Sequence, residues 1–240
     1  MRIIGHFSSK KCGMQLVRGL HNLRPRHRGC VATIGNFDGV HRGHQAILAR
    51  LRERAAELGL PSCVVIFEPQ PREFFGPDTA PARLTRLRDK LALLAAEGVD
   101  MVLCLTFNRR LRELSAAEFV QRVLVEGLGV KELEIGDDFR FGCDRAGDFE
   151  FLQAAGQRHG FSVDASTTVE VLGGRVSSTR VRQALADGDL NANSFQHQPY
   201  LDNQIRDRGF DLVSVAKTIT TPMGIYSSKL KSLEELKDGA

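Results

Sequence analysis

Two histidines three residues apart, His41 and His44, sit in the run Thr33-Ile34-Gly35-Asn36-Phe37-Asp38-Gly39-Val40-His41-Arg42-Gly43-His44. An apolar, β-branched segment from Val31 precedes this run, and helical periodicity follows from about Gln45. A strand, a glycine-rich turn and a helix N-terminus in that order form an anion site, because free backbone N–H groups and the helix dipole both point at the ligand. Imidazoles at its mouth would donate to a phosphate and stabilise the charge that grows on an α-phosphorus during in-line displacement. That chemistry needs no protein nucleophile, and no Cys–His or Ser–His arrangement stands in the sequence. A zinc-type reading of the pair needs a third ligand with only Asp38 close by, so no metal site is assigned. Histidines at this spacing are often structural; the glycines on both sides favour a functional role here.

Three further stretches carry chemistry. Ser177-Ser178-Thr179 with Arg180 and Arg182 leads into a short helix to about Ala186. It reads either as an ordinary N-cap or as a cradle of hydroxyls, N–H groups and guanidinium forks for a triphosphate tail. Gly136 to Gly142 alternates Asp138, Phe139, Arg140 and Phe141. It is a plain Asp/Gly turn, or a place where aromatics hold a planar ring while a carboxylate orients its polar edge. Glu68-Pro69-Gln70-Pro71 ends a strand, since prolines cannot continue a ladder, and opens a long loop to about Pro81 that carries Phe74 and Phe75.

Apolar spacing predicts the elements that hold these stretches. Helices are expected over 45–58 (closed by Gly59), 84–97 (closed by Gly98) and 148–159, and another from Ser115 with Glu118 completing a capping box. Strands are expected over 31–37, 63–67, 101–107 and 130–135, with 161–171 extended. Strands alternating with helices imply right-handed βαβ units and a mostly parallel sheet. Ligands bind beyond the carboxyl ends of such strands, and each special stretch follows a strand.

Composition bounds the rest. The 240 residues make one large domain, or one domain plus a fragment, with 42 % hydrophobic residues. A net charge of +4 suits anionic small molecules and is too small to argue for nucleic acid. No apolar run is long enough to span a membrane, and the N-terminus lacks a signal-peptide core. Five widely spaced cysteines, with Cys63 and Cys104 inside strand-like runs as buried small hydrophobes, fit a reducing cytoplasm.

GNFDGVHRGH, FEPQP, GDDFRFG with Arg145, Gly147 and Asp148, and SSTRVRQAL together resemble the bacterial bifunctional riboflavin kinase/FAD synthetase family in order and spacing. The resemblance runs over about 14–190, the adenylyltransferase module. It implies a Rossmann-like nucleotidylyltransferase fold and the reaction ATP + FMN → FAD + pyrophosphate with Mg2+. It further implies His41, His44 and Arg182 as catalytic groups, and Gly35, Asn36, Phe37, Asp38, Gly43, Ser177, Ser178 and Thr179 as ATP contacts. Asp138, Phe139, Phe141 and Pro69 would contact FMN. Val17-Arg18-Gly19-Leu20 looks like the family's short opening strand, which leaves 1–13 as an extension. The family's P-T-A-N kinase motif is missing, so riboflavin kinase activity is not expected. Residues 191–240 instead resemble part of the periplasmic methionine-binding lipoproteins of ABC transporters. Methionine binding is not expected of so short a piece. The junction falls in ALADGDL at 184–190. Two rivals are a nucleotidylyltransferase with another acceptor, such as nicotinate mononucleotide or phosphopantetheine, and an inactive flavin- or nucleotide-binding protein.

Overall fold

Six strands pair in parallel throughout: β1 Gln15–Arg18, β2 Val31–Ile34, β3 Ser62–Glu68, β4 Met101–Thr106, β5 Glu132–Ile135 and β6 Ser162–Ala165. Their spatial order is β1-β4-β3-β2-β5-β6. The structure is a computed structural model that describes residues 13–136, 139–143, 145–165, 170–171, 174–187, 213–217 and 224–227. The α/β class with a parallel sheet is as expected.

Period-two alternation distributes the core over both faces of the sheet. Val31, Val64, Ile66, Val102 and Cys104 face α1 (Arg42–Leu58) and α3 (Leu87–Ala96), and meet Leu48, Leu51, Ala55 and Leu94. Their neighbours Ala32, Ile34, Cys63, Val65, Met101 and Leu103 face the other way, onto Val123, Leu124, Leu152 and Ala155. The second layer comprises α5 (Ala116–Phe119), its π-helical continuation Val120–Leu128, and α6 (Phe149–His159). Strands buried on both faces explain why the sequence shows near-continuous apolar runs rather than alternation.

The chain leaves β2 for β3 and β4 on one side, then returns to place β5 and β6 on the other side of β2. The loops after β2 and β5 therefore diverge, which opens a crevice between them at the carboxyl ends of the strands. Glu132 and Glu134 on β5 seat α1 beside that crevice: Arg54 grips Glu132 at 2.7 and 2.8 Å, and Arg50 meets Glu134 at 2.8 Å.

Several expected boundaries move, each for a local reason. Helix α1 begins at Arg42 rather than Gln45, because His41 itself caps it. The helix expected from Leu84 begins at Leu87, since the N–H groups of Leu84 and Thr85 bond to the Asp38 carboxylate instead of opening a helix. Strand β2 stops at Ile34, before the turn forces Phe37 to a φ of 46°. Val130 lies before β5, its N–H bonded to the carbonyl of Leu124 within the π-helix. The long loop after Pro69 contains a short helix, α2 (Pro71–Phe75), with proline at its first position where no N–H is needed. A four-residue helix α4, Arg109–Arg112, follows β4. The cap at Ser115 with Glu118 forms as expected, and α6 begins at Phe149 rather than Asp148, because the Asp148 carboxylate caps it by accepting the Phe151 N–H.

Beyond β6, β7 (Glu170–Val171) pairs antiparallel with β8 (Gly174–Arg175), and α7 spans Ser178–Asp187. Residues 166–169 of the expected extended stretch lie outside the described residues. Of the segment 191–240, β9 (Val213–Lys217) and β10 (Gly224–Ser227) are described and pair antiparallel with each other. Cys30, Cys63 and Cys104 are buried thiols, whereas Cys143 is exposed.

Candidate active site

The turn after β2 is tight and strained. Phe37 and Val40 take φ values of 46° and 36°, a left-handed conformation that is rare for a β-branched residue. Its anchor is Asp38, which is buried. The Asp38 carboxylate accepts from Leu84 N–H at 3.0 Å, Thr85 N–H at 2.9 Å, the Thr85 hydroxyl at 3.1 Å and the Arg182 guanidinium. Four donors thus hold one carboxylate, so the conformation of the turn is overdetermined. Phe37 does not face solvent: its ring is buried in the α1 layer and lies 4.8 Å from the ring of His44.

His41 and His44 stack, with ring centroids 3.7 Å apart and planes 14° from parallel. Nδ1 of His41 accepts the His44 N–H at 3.3 Å. A nitrogen that accepts carries no proton, so this bond assigns the neutral tautomer with its hydrogen on Nε2. Burial pushes His41 down to about 4, with Asp38 opposing and Arg182 assisting. Burial also holds His44 well below the ordinary histidine value, reinforced by His41 and Lys90. Both rings are uncharged at neutral pH, as close parallel stacking requires. At Gly43 a Cβ would lie 3.1 Å from the Val176 carbonyl and 3.2 Å from the His41 ring, so the backbone leading to α7 approaches here at glycine distance.

A cavity of about 660 Å³ opens at the crevice, walled by the turn, by Ser177, Ser178 and Thr179, and by the loop after β5. Part of its lining is aromatic, a surface the sequence motifs do not mark: Phe67, Phe75 and Phe107. Phe75 and Phe107 lie 5.8 Å apart, and Arg112 sits 5.4 Å over the Phe75 ring. Phe75 is 62 % exposed, and so large an apolar group left open on a cavity wall marks a ligand surface. Both rings follow strand ends, Phe75 after β3 and Phe107 after β4, which is the signal that could have found them. Arg72, Arg112, Arg140, Arg145 and Arg182 line the same space, against one carboxylate, Asp38, among the described residues. Such a balance favours a polyanion.

The sequence-derived site residues mostly converge here. Gly35, Asn36, Phe37, Asp38, His41, Gly43, His44, Ser177, Ser178, Thr179, Arg182, Phe139 and Phe141 all border the cavity. Their partners refine their parts. The Ser178 hydroxyl donates to the Asp38 carbonyl at 2.9 Å, and the Ser177 hydroxyl accepts the Arg180 N–H at 3.2 Å as a cap. Arg182 is bound to Asp38 and to the Ala82 carbonyl, at 2.8 Å for the latter. Phe141 is buried against Phe119 and Phe151, with Phe139 stacked on it at 5.5 Å. Pro69, joined to Glu68 by a cis peptide bond, is not on the wall; its neighbours Gln70 and Pro71 are. Asp138 lies outside the described residues.

The FAD synthetase family matches residues 23–180. The chain belongs to the FAD synthetase family. A bifunctional riboflavin kinase/FMN adenylyltransferase from Pseudomonas fluorescens is 75% identical over 178 residues, covering 74% of this chain and 57% of that protein. The protein of the same name from Escherichia coli K12 is 47% identical over 234 residues, covering 92% of this chain and 75% of its own length. The chain thus spans little more than half of the first of these relatives. A crystallised macrolide-efflux protein from Streptococcus pneumoniae shares the fold, with a TM-score of 0.63 at 27% identity over 74% of this chain and 59% of that one. The NlpA lipoprotein family matches residues 177–240, overlapping the end of the FAD synthetase match. No described helix is long and apolar enough to cross a membrane.

Proposed function

We propose that this chain is an FMN adenylyltransferase, which transfers AMP from ATP to FMN and releases pyrophosphate. The observation that carries this reading is the pair of stacked, uncharged imidazoles at the N-terminus of α1, opening on a cavity that is lined in part by aromatic rings. An oxygen of the FMN phosphate attacks the α-phosphorus of ATP; the new P–O bond forms as the bond to the bridging oxygen breaks, and pyrophosphate leaves. His41, its hydrogen on Nε2, donates to the α-phosphate as charge accumulates there, and His44 stacks beside it to fix the ring and to add a second donor. Gly35, Asn36 and Gly43 let the phosphates approach the backbone, while Phe37 and Asp38 shape the turn. Ser177, Ser178 and Thr179 at the start of α7 receive the β- and γ-phosphates, with the Arg182 charge behind them. The flavin ring lies between the aromatic wall of Phe75 and Phe107 and the side of the cavity that holds Phe139 and Phe141; Asp138 is kept as an FMN contact on the family resemblance alone.

Among the described residues no group of three His, Cys, Asp or Glu side chains gathers to hold a metal ion. In this reading Mg2+ enters as part of the nucleotide substrate, held by the phosphates rather than by a protein cage, and no step is assigned to it. Residues 14–190 form the adenylyltransferase unit and 191–240 a segment of different origin, and riboflavin kinase activity is not assigned to these residues. The working location is the cytoplasm, where FMN, ATP and reduced thiols coexist.

The decisive experiment incubates the protein with FMN, ATP and Mg2+ and separates the flavins by chromatography. Appearance of FAD with equimolar pyrophosphate is expected. Flavin and nucleotide binding without FAD would make the chain a binding protein instead, and turnover with nicotinate mononucleotide or phosphopantetheine would change the acceptor.

A further inference from the structure

Helix α3 carries Lys90, which is 0% exposed. Its Nζ has no hydrogen-bond partner among the described residues. A buried ammonium in that state is costly and persists only where the charges around it require it. Burial pushes the Lys90 ammonium down from the ordinary lysine value; Asp38 on the turn, Glu68 at the end of β3 and Glu73 on α2 oppose that push, and Arg83 in the segment before α3 adds to it. Arg83 bonds both Glu68 and Glu73, and Arg182 bonds Asp38. Three carboxylates therefore meet two guanidiniums, and Lys90 supplies the third positive charge. The same ammonium acts on His44, whose Nδ1 is likewise buried without a partner among the described residues.

We propose that Lys90 is a positioning residue for the transfer reaction: its buried ammonium balances the carboxylates around the histidine turn and keeps the stacked imidazoles uncharged. The proposal rests on the phosphate-transfer reading of the turn. A positive charge near His44 raises the cost of a second one on the ring, while the carboxylates facing Lys90 counteract the burial that lowers the ammonium. His41 is faced by Asp38, which favours an imidazolium, and by Arg182, which opposes it. Without Lys90 the cluster carries one net negative charge, and protonation of the pair becomes easier. Two imidazolium rings cannot keep a 3.7 Å stack, and a proton on His41 Nδ1 would break the cap of α1.

The test is NMR titration of the full, ligand-free chain with 13C-labelled histidine, the pair being assigned through His41→Gln and His44→Gln. In the wild-type protein both rings should titrate well below ordinary histidine. In Lys90→Met the titration should move up by about one pH unit, as expected for loss of a nearby like charge. Lys90→Gln, which keeps side-chain polarity without charge, should shift the same way, and Lys90→Arg should stay at the wild-type position. Neutral rings are the active form, so the acid limb of FAD formation should rise in pH with the titration. An unshifted pair in folded Lys90→Met or Lys90→Gln overturns the proposal. A wild-type pair that titrates at the ordinary histidine value overturns it without any variant. Shifted titration with no FAD formed by the wild-type protein would count against the adenylyltransferase reading and leave the role of Lys90 standing.

Discussion

The N-termini of α1 and α7 face one cavity, yet they are held in opposite ways. The 17-residue α1 buries Leu48, Leu51 and Ala55 against the sheet and is pinned by ion pairs to Glu132 and Glu134. Its N-cap is an imidazole that is itself packed into the fold. Helix α7 reaches the site through polar ties: Ser178 to the Asp38 carbonyl, and Arg182 to the Asp38 carboxylate and the Ala82 carbonyl. Groups that need sub-ångström placement belong on the end fixed by burial, and groups that receive a mobile polyphosphate tail suit the end fixed by hydrogen bonds. Asp38 is where the two ends are coupled.

Asp38→Ala tests that coupling and should have the largest effect. It leaves the Arg182 guanidinium unpaired and frees the Leu84 and Thr85 donors, so stability should fall by about 3–5 kcal/mol in urea unfolding. A loss under about 1 kcal/mol, the range of an exposed pair, would mean that α7 is held by something else. His44→Ala leaves both helix attachments in place. FAD formation should fall by about 100- to 1,000-fold, the cost of removing a preorganised donor, with the far-UV spectrum retained. Retained turnover would remove the imidazole pair from the chemistry and make the two ends equivalent.

Proton linkage separates the ends more finely. The folded His41 value, about 4, lies below the 6.5 of a free histidine, so the unfolded chain takes up this proton first as pH drops. Its stabilising contribution is complete above about pH 6.5 and is lost as pH falls towards 4. The urea midpoint of the wild-type protein should decline across that window, and His41→Gln should flatten the decline; parallel profiles would show that the ring is not held neutral. The smallest effect is expected on the aromatic wall. Phe75→Ala should raise the KM for FMN several-fold, in line with about 0.5–1.5 kcal/mol for a lost ring contact, and leave the KM for ATP unchanged. An equal rise in both would place the adenine, not the flavin, against that ring.

Much of this was legible beforehand because it is local. Capping by Ser115, the helix stop at Gly59 and the doubly buried strands follow from neighbours within a few residues. The boundaries that shifted did so where a distant group took over a backbone donor, as Asp38 does for Leu84 and Thr85 across 46 and 47 residues. From its neighbours alone Arg182 reads as one of two guanidinium forks for phosphate; its carboxylate partner stands 144 residues away. Lys90 gave no signal at all, since a lysine inside a helical pattern reads as solvated surface until the fold buries it.

The sequence by itself determined the parts: a phosphate-binding strand–turn–helix with two histidines, a second hydroxyl-rich helix start, and strands apolar enough to be covered on both faces. The tertiary structure decided their relation. Placing β5 against β2, rather than beyond β4, opens the crevice, and Phe75 and Phe107 line it together with the turn. It also half-buried His41 and His44 and fully buried Lys90, and burial lowers the pKa of all three. Periodicity reports which face of an element is apolar; it holds no information on which strand lies alongside or which charge ends up next to which. Those follow from packing, and here packing converts two ordinary histidines into neutral donors at the mouth of a nucleotide-sized cavity.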